Sequence, residues 1–424
     1  MALVVQKFGG SSVADAASVR RVAQRIVETK AAGNDVVVVV SAMGDTTDDL
    51  LDLASQVTDQ PAERELDILL TAGERISMSV LAMAITELGV PARSYTGQQA
   101  GVLTDAAYGK ASIVGVVPER IARTLEEGGV AIVAGFQGVS QDMDVTTLGR
   151  GGSDTTAVAI AAALDASVCE IYSDVDGLFT ADPRIVPAAR QITDITSEET
   201  LEMAAHGAKI LHLRAVEYAR RYNVPIHVRS SFSTKRGTWI RNVDSQSEED
   251  TMEAPIIAGV AHDRSQGKIT VKGVPDVPGA AARLFAVVAG AGANVDMIVQ
   301  NVSSESTGLT DISFTLPETD GDATLAALRA AEAELGYADL RYDDQIGKLS
   351  LVGAGMRSHP GVSAKLFSAL FDAGINIEMI STSEIRISVV TRADVLDDAV
   401  RAVHSAFELD TDESEAVVYG GTGR

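Results

Sequence analysis

The chain has 424 residues, 46% of them hydrophobic, with 35 Lys and Arg against 59 Asp and Glu for a formal net charge of -24. That length suits two or three domains with ample core, and the charge argues against nucleic acid and anionic membrane surfaces as partners, since no basic patch offsets it. Cys169 is the only cysteine, the start "MALVVQKFGG" lacks the basic region of a signal peptide, and no apolar run nears the roughly 20 residues of a membrane span, so a reducing, cytoplasmic setting is expected.

From residue 1 to about 240, β-branched runs alternate with helical patterns: "ALVV", "DVVVVVSA", "VAIVAGF", "SVCEIYS" and "PIHVRSS" predict strands. Val36 to Val40 is apolar on both faces, as in the middle of a parallel sheet covered on both sides by helices. "VADAASVRRVAQRIVETKAAG" and "SDTTAVAIAAALDAS" supply helices, each opened by Ser or Asp.

Three words interrupt this pattern. In "VQKFGGSSV", residues 5 to 13, paired glycines sit where a strand hands over to a helix, with Lys7 beside them. Glycine lets the backbone approach an anion, and helix-start N–H groups attract negative charge, so the word reads either as a phosphate cradle or as a tight structural turn. It is neither a Walker A loop nor a dinucleotide fingerprint. "TTLGRGGSDTTAVAIAAAL", from Thr146, repeats Gly-Gly-Ser before a helix and adds Arg150 and Asp154. Two anion cradles in one domain are what phosphoryl transfer to an acid needs, one for the polyphosphate and one for the acceptor carboxylates. "YSDVDGLFTADPR", residues 172 to 184, reads equally as a surface hairpin or as a nucleotide loop using Ser173, Asp174 and Asp182.

At "VDSQSEEDTMEA", residues 243 to 254, the composition turns polar and acidic, which predicts a linker. Beyond it, "PGAAARLFAVVAGAGANVDMI" from Pro278 and "PGVSAKLFSALFDAGINIEMI" from Pro360 agree at 10 of 21 positions, so this half is an internal repeat of β-α-β-β-like units. Asn294 and Asn376, at equivalent places, read first as turn formers.

Taken in order, "KFGGSS", "VVVVVSAMG", "LTAGERIS", "GRGGSD", "YSDVDGLFTADPR" and "HGAKILH" resemble the aspartate kinase branch of the amino acid kinase family, and the paired repeats resemble ACT regulatory domains. The resemblance covers essentially the whole chain. It implies an α/β fold, a three-layer α/β/α sandwich with a mainly parallel sheet, followed by two ferredoxin-like α+β ACT units. The corresponding boundaries are 1–242 for the catalytic domain, 243–264 for the linker, 265–344 for the first ACT unit and 345–424 for the second.

The implied reaction is ATP-dependent phosphorylation of the L-aspartate side chain to 4-phospho-L-aspartate, opening lysine, threonine, methionine and isoleucine biosynthesis. By the same resemblance Lys7 stabilises the transferring phosphoryl group, Gly9, Gly10 and Ser11 lie near the phosphates, and Asp154 orients Lys7. Thr47, Glu74, Arg150 and Ser153 fall to aspartate, Glu74 taking its α-ammonium and Arg150 its α-carboxylate. Ser173, Asp174, Phe179, Asp182, Arg184 and Lys209 fall to ATP, with Mg2+ bridging the phosphates. Phe179 stands where Tyr is commoner, leaving the ring only stacking or packing, and Leu213 stands where Pro is frequent. Effector amino acids, lysine and threonine, map to Asp276, Gly279, Ala281 and Gln300 with Asn376 and Ile377, and a second site to Asp296, Val362, Ser363 and Ser383.

Such sites need paired ACT units, which implies a homo-oligomer or assembly with a shorter regulatory chain starting at Met252. The chemistry itself needs no catalytic histidine: an aspartate carboxylate, with a reference pKa of about 3.9, is already ionised at neutral pH. His206 and His212 therefore read as helix residues or neighbours of the nucleotide loop. Two rivals remain, a kinase for another acid or for a nucleotide monophosphate, and a non-catalytic amino acid sensor. "GERIS" with two ACT repeats argues against the first, and Lys7, Arg150 and Asp154 argue against the second.

Overall fold

The computed structural model describes residues 2–208, 210–242, 256–301, 308–354, 356, 359 and 361–410. Lys209 and Met252 lie outside them. The described residues form two compact units, one of residues 2–183 and 187–242, the other of residues 256–410 with the short segment Arg184–Val186.

The first unit is built on an eight-stranded sheet. Its order is Asp194–Thr196, Thr238–Arg241, Ile226–Ser230, Val168–Ser173, Leu3–Phe8, Asp35–Val40, Val130–Ala134, Ala92–Tyr95. All pairings are parallel except that of Thr238–Arg241 with Ile226–Ser230. Every strand expected from the sequence forms, and Val36 to Val40 is fully buried as their two-sided apolarity requires.

Strand period sorts the first strand's side chains. Phe8 joins Val36, Val38 and Val40 on the face packed by Val19, Val22 and Ile26 of helix Ala16–Ala31 and by Met78, Leu81 and Ile85 of helix Ala72–Glu87. Lys7 points the other way, toward helix Gly152–Ala163, whose residues Gly152 to Ala161 are all buried. The segment from Glu63 to Glu87 is apolar and long enough to cross a bilayer, yet it contributes core side chains to this sheet. A second, four-stranded sheet, Ile113–Val116, Val102–Thr104, Gln137–Val139 and Val145–Thr147, leads into the Arg150 word.

The second unit contains two four-stranded sheets of matching order. The first repeat runs Ile298–Gln300, Leu309–Pro317, Gln266–Pro275, Asp339–Asp343 around a core of Ile269, Leu284, Phe314 and Leu328. The second runs Met379–Thr382, Arg386–Arg392, Ile346–Ala354, Ile256–Asp263. Residues 256–263 thus belong to a strand of the second repeat, pairing antiparallel with Ile346–Ala354, although composition groups them with the linker. The acidic run before them hides a short apolar strand whose partner lies about 90 residues on. The first repeat is inserted between that strand and the rest of the second.

Candidate active site

The glycine words converge at the carboxyl ends of the central strands, where ligands bind in open α/β sheets. Lys7 Nζ lies 2.6 Å from Asp154 Oδ1, with 13% and 10% of the side chains exposed, so the two words that separately suggested anion cradles are joined by one ion pair. The Gly10 carbonyl accepts from Gly44 N at 3.1 Å, and a Cβ at Gly10 would lie 2.9 Å from Gly44 O and 3.0 Å from Ala42 O. Glycine is needed there for the close approach of two loops, alongside any role toward phosphate. Ser11 is half-buried, whereas Ser12, which the resemblance does not single out, is fully buried. Its hydroxyl donates to Ser231 Oγ at 2.9 Å, and Ser231 N donates to Ser173 O at 3.0 Å, tying three strand ends together.

In the second word Arg150 is exposed and has no side-chain partner among the described residues. Gly151 beside it has φ +69, and a Cβ there would sit 2.0 Å from His212 Cγ. His212 precedes helix Leu213–Tyr222, and burial lowers its pKa despite the nearby Asp154. His206 is buried and paired with Glu202 at 3.2 Å. Ser153 and Asp154 open helix Gly152–Ala163, both buried.

Glu74 occupies the first turn of helix Ala72–Glu87 at 2% exposure. Its Oε1 accepts from Ala42 N at 3.1 Å, while Oε2 is buried without a partner among the described residues. Burial pushes its pKa up to about 7, against the hydrogen bond from Ala42. A carboxylate oxygen left unsatisfied is suited to an incoming ammonium. Thr47 is half-buried near the start of helix Thr46–Val57.

On the other side, Ser173 Oγ donates to Asp174 Oδ1 at 3.0 Å. Phe179 is 7% exposed and bridges Gln191 through its backbone, so its ring is part of the packing. Asp182 is half-buried, and Arg184 is exposed within the segment that groups with the second unit. Asp176, to which the sequence assigns no role, is buried here, paired with Lys235 at 2.9 Å and accepting from Ser233 Oγ at 2.5 Å. The serine run "SSFSTKR" after strand Ile226–Ser230 was the available signal for this contact. Glu170, beneath, is opposed by burial but held at about 2 by bonds from His227 and Gln6 and the charge of Arg229.

In the second unit, Asp276, Gly279 and Ala281 follow strand Gln266–Pro275, and Gln300 closes strand Ile298–Gln300 at the same end of that sheet. Asn376 and Ile377 precede strand Met379–Thr382 of the other repeat. Ser363 and Ser383 line a cleft of about 550 Å³ with Met356, His359, Glu384 and Ile387, and Val362 is buried next to it. Asp296 is not in that lining; its carboxylate is engaged by Lys348.

The chain matches the model of the amino acid kinase family over residues 2–230 and that of the ACT domain over 269–331 and 349–407. It is 64% identical to an aspartokinase of Mycolicibacterium smegmatis and 58% identical to one of Corynebacterium glutamicum, each over 100% of both chains. Its fold matches Escherichia coli aspartokinase III in complex with aspartate and ADP at a TM-score of 0.80 and 26% identity, covering 96% of this chain and 100% of that one. The same enzyme in complex with lysine and aspartate matches at 0.70 and 26%, covering 95% and 99%. Sequence, fold and the arrangement of charged groups at the strand ends agree, and the chain belongs to the aspartokinases of the amino acid kinase family, with a paired ACT region.

Proposed function

We propose that the first unit transfers the γ-phosphoryl group of ATP to the side-chain carboxylate of L-aspartate, giving 4-phospho-L-aspartate and ADP. The observation that carries this reading is the Lys7–Asp154 ion pair between the Gly9–Gly10 loop and the Arg150 loop. The aspartate oxygen attacks the γ-phosphorus as its bond to the bridging oxygen of ADP breaks. Two anions must be held together for this, so positioning and charge neutralisation dominate. Lys7 supplies positive charge to the moving phosphoryl group, and Asp154 holds Lys7 in place. Gly9, Gly10, Ser11 and the Ser173–Asp174 turn line the phosphates, with Asp182, Arg184 and Lys209 assigned to the nucleotide.

Glu74 receives the α-ammonium and Arg150 the α-carboxylate, with Thr47 and Ser153 completing the aspartate site. Ser173 and Asp174, hard oxygen donors, would hold the hydration shell of a magnesium ion, which would supply further charge neutralisation for the phosphates.

The ACT region takes amino acid effectors. Lysine is supported by the E. coli complex named above and by the cleft holding Ser363 and Ser383, whose hydroxyl at Ser383 is buried without a hydrogen bond among the described residues. Threonine is assigned to the site begun by Asp276, Gly279, Ala281 and Gln300 and completed by Asn376 and Ile377 of a paired unit, which makes the enzyme an oligomer. The cytoplasm, where ATP and aspartate meet, is the proposed location.

The test is hydroxylamine trapping of the acyl phosphate with ATP and aspartate, glutamate or acetylglutamate, repeated with lysine and threonine. Product from aspartate alone, suppressed by the effectors, is expected. ATP binding without trapped product from any acid would leave a sensor instead.

A further inference from the structure

Asp67 is 1% exposed on helix Glu63–Leu70, has no cation beside it among the described residues, and belongs to none of the motifs above. A buried carboxylate of that kind persists only where hydrogen bonds replace its water. Three donors do so here. Gly109 N lies 3.0 Å from Oδ1 and 3.1 Å from Oδ2, Thr147 N is 2.8 Å from Oδ2, and Thr147 Oγ1 is 2.7 Å from Oδ1.

What those donors belong to matters. Thr147 ends the strand Val145–Thr147 and stands three residues before Arg150. Its carbonyl accepts from Ala111 N at 2.9 Å, and the next carbonyl, Leu148 O, accepts from Arg214 at 2.8 Å, while Arg214 also reaches Ala111 O at 3.0 Å. The backbone leading to Arg150 is therefore fixed from both sides. The Arg150 side chain has no partner of its own among the described residues, so this backbone alone sets where the guanidinium starts.

Asp67 also sits seven residues before Glu74, with only Thr71, itself near helical angles, between their two helices. Residues seven apart share a helix face. One face thus presents the carboxylate that clamps the Arg150 loop and, two turns on, the carboxylate with a free oxygen.

We propose that Asp67 is a positioning residue for the amino acid substrate. By tying the Arg150 loop to helix Glu63–Leu70, which runs through Thr71 into the helix that bears Glu74, it fixes the distance between the groups that receive the α-carboxylate and the α-ammonium. The inference rests on the proposed role of Arg150.

The test is steady-state acyl phosphate formation by the full chain as wild type, D67N, T147V, R150A and D67N/R150A. Losing bonds to a buried carboxylate predicts a rise in aspartate KM of roughly tenfold or more for D67N, with ATP KM unchanged within roughly twofold. D67N added to R150A changes aspartate KM by less than roughly threefold, because both act through one contact. A purely structural Asp67 would lower the melting temperature and leave the KM of folded enzyme unchanged, or raise both KM values alike; either result overturns the inference. Should D67N not fold, T147V, which removes only the hydroxyl bond, must still raise aspartate KM selectively, and an unchanged value overturns the inference. R150A raising aspartate KM while D67N does not overturns this inference alone. R150A without effect overturns the Arg150 reading and this inference with it.

Discussion

Lys348, 1% exposed, places its ammonium against the Asp296 carboxylate of the other ACT repeat, and Lys268 does the same with Glu378 in the reverse sense. Asp296 and Glu378 stand at equivalent positions of the repeat, as do the two lysines at the start of its first strand. Between the pairs Met297 and Met379, also equivalent, pack with Ile346 and Val390. The two repeats are thus joined by a reciprocal contact that one repeat alone cannot make.

Breaking that contact on one side removes the ion-pair partner of buried Lys348, leaving it, among the described residues, only its interaction with Asp263 across the strand pair, and Arg386, 4.0 Å from Asp296, loses an attractive partner too. Asp296→Asn is expected to destabilise the second unit by about 3–5 kcal/mol. The double variant Lys348→Met, Asp296→Leu should recover part of the loss. Urea unfolding of the full chain checks both, and an unchanged midpoint for Asp296→Asn would show that Lys348 does not depend on it.

Lys7→Met should lower kcat by roughly a thousandfold or more, since it removes the charge that Lys7 is proposed to bring to the transferring group. It also leaves Asp154 without its cation, so a lower melting temperature with native circular dichroism is expected. Acyl phosphate trapping gives the rate; turnover near that of wild type contradicts the mechanism.

Glu74 has a pKa raised to about 7, so its proposed role as the ammonium site predicts that aspartate binding depends on pH. Only its ionised form attracts an ammonium, so aspartate KM should fall as pH rises through about 7, and Glu74→Gln should raise KM and flatten that dependence. Stability moves oppositely: the folded state holds this proton more tightly than the unfolded chain, so the contribution is complete below about 4.5 and lost as pH rises through about 7. The increase in melting temperature caused by aspartate should therefore grow over the same window. Thermal scans with and without aspartate from pH 5 to 8 measure it, and a flat increment would count against Glu74 as the ammonium site.

Gly10→Ala sets a methyl group against two backbone oxygens, Gly44 O and Ala42 O, at 2.9 and 3.0 Å. Backbone cannot swing aside as a side chain does, so the loops must part. We expect ATP KM to rise several-fold with less effect on aspartate KM, read by varying each substrate in turn.

The continuous apolar run Val36 to Val40, the strand runs around it and the two Gly-Gly-Ser words were legible in the sequence because each depends on contacts within a few residues. Period two by itself put Lys7 and Phe8 on opposite faces of one strand, and the repeat announced two equivalent units. The short strands Ile113–Val116, Val102–Thr104, Gln137–Val139 and Val145–Thr147 carry too few residues to show a period, and the strand Ile256–Asp263 is defined by a distant partner.

Asp67 is the clearest case of what only the tertiary structure decided. In "ERELDILL" it looks like any polar residue of an amphipathic helix, yet its partners Gly109 and Thr147 lie 42 and 80 residues further on. The same holds for the unsatisfied oxygen of Glu74 and for the pairing of Asp296 with Lys348. Local sequence fixes backbone preference and which face is apolar; whether a buried charge is satisfied, and by what, depends on groups brought together only when the sheet and the repeats close.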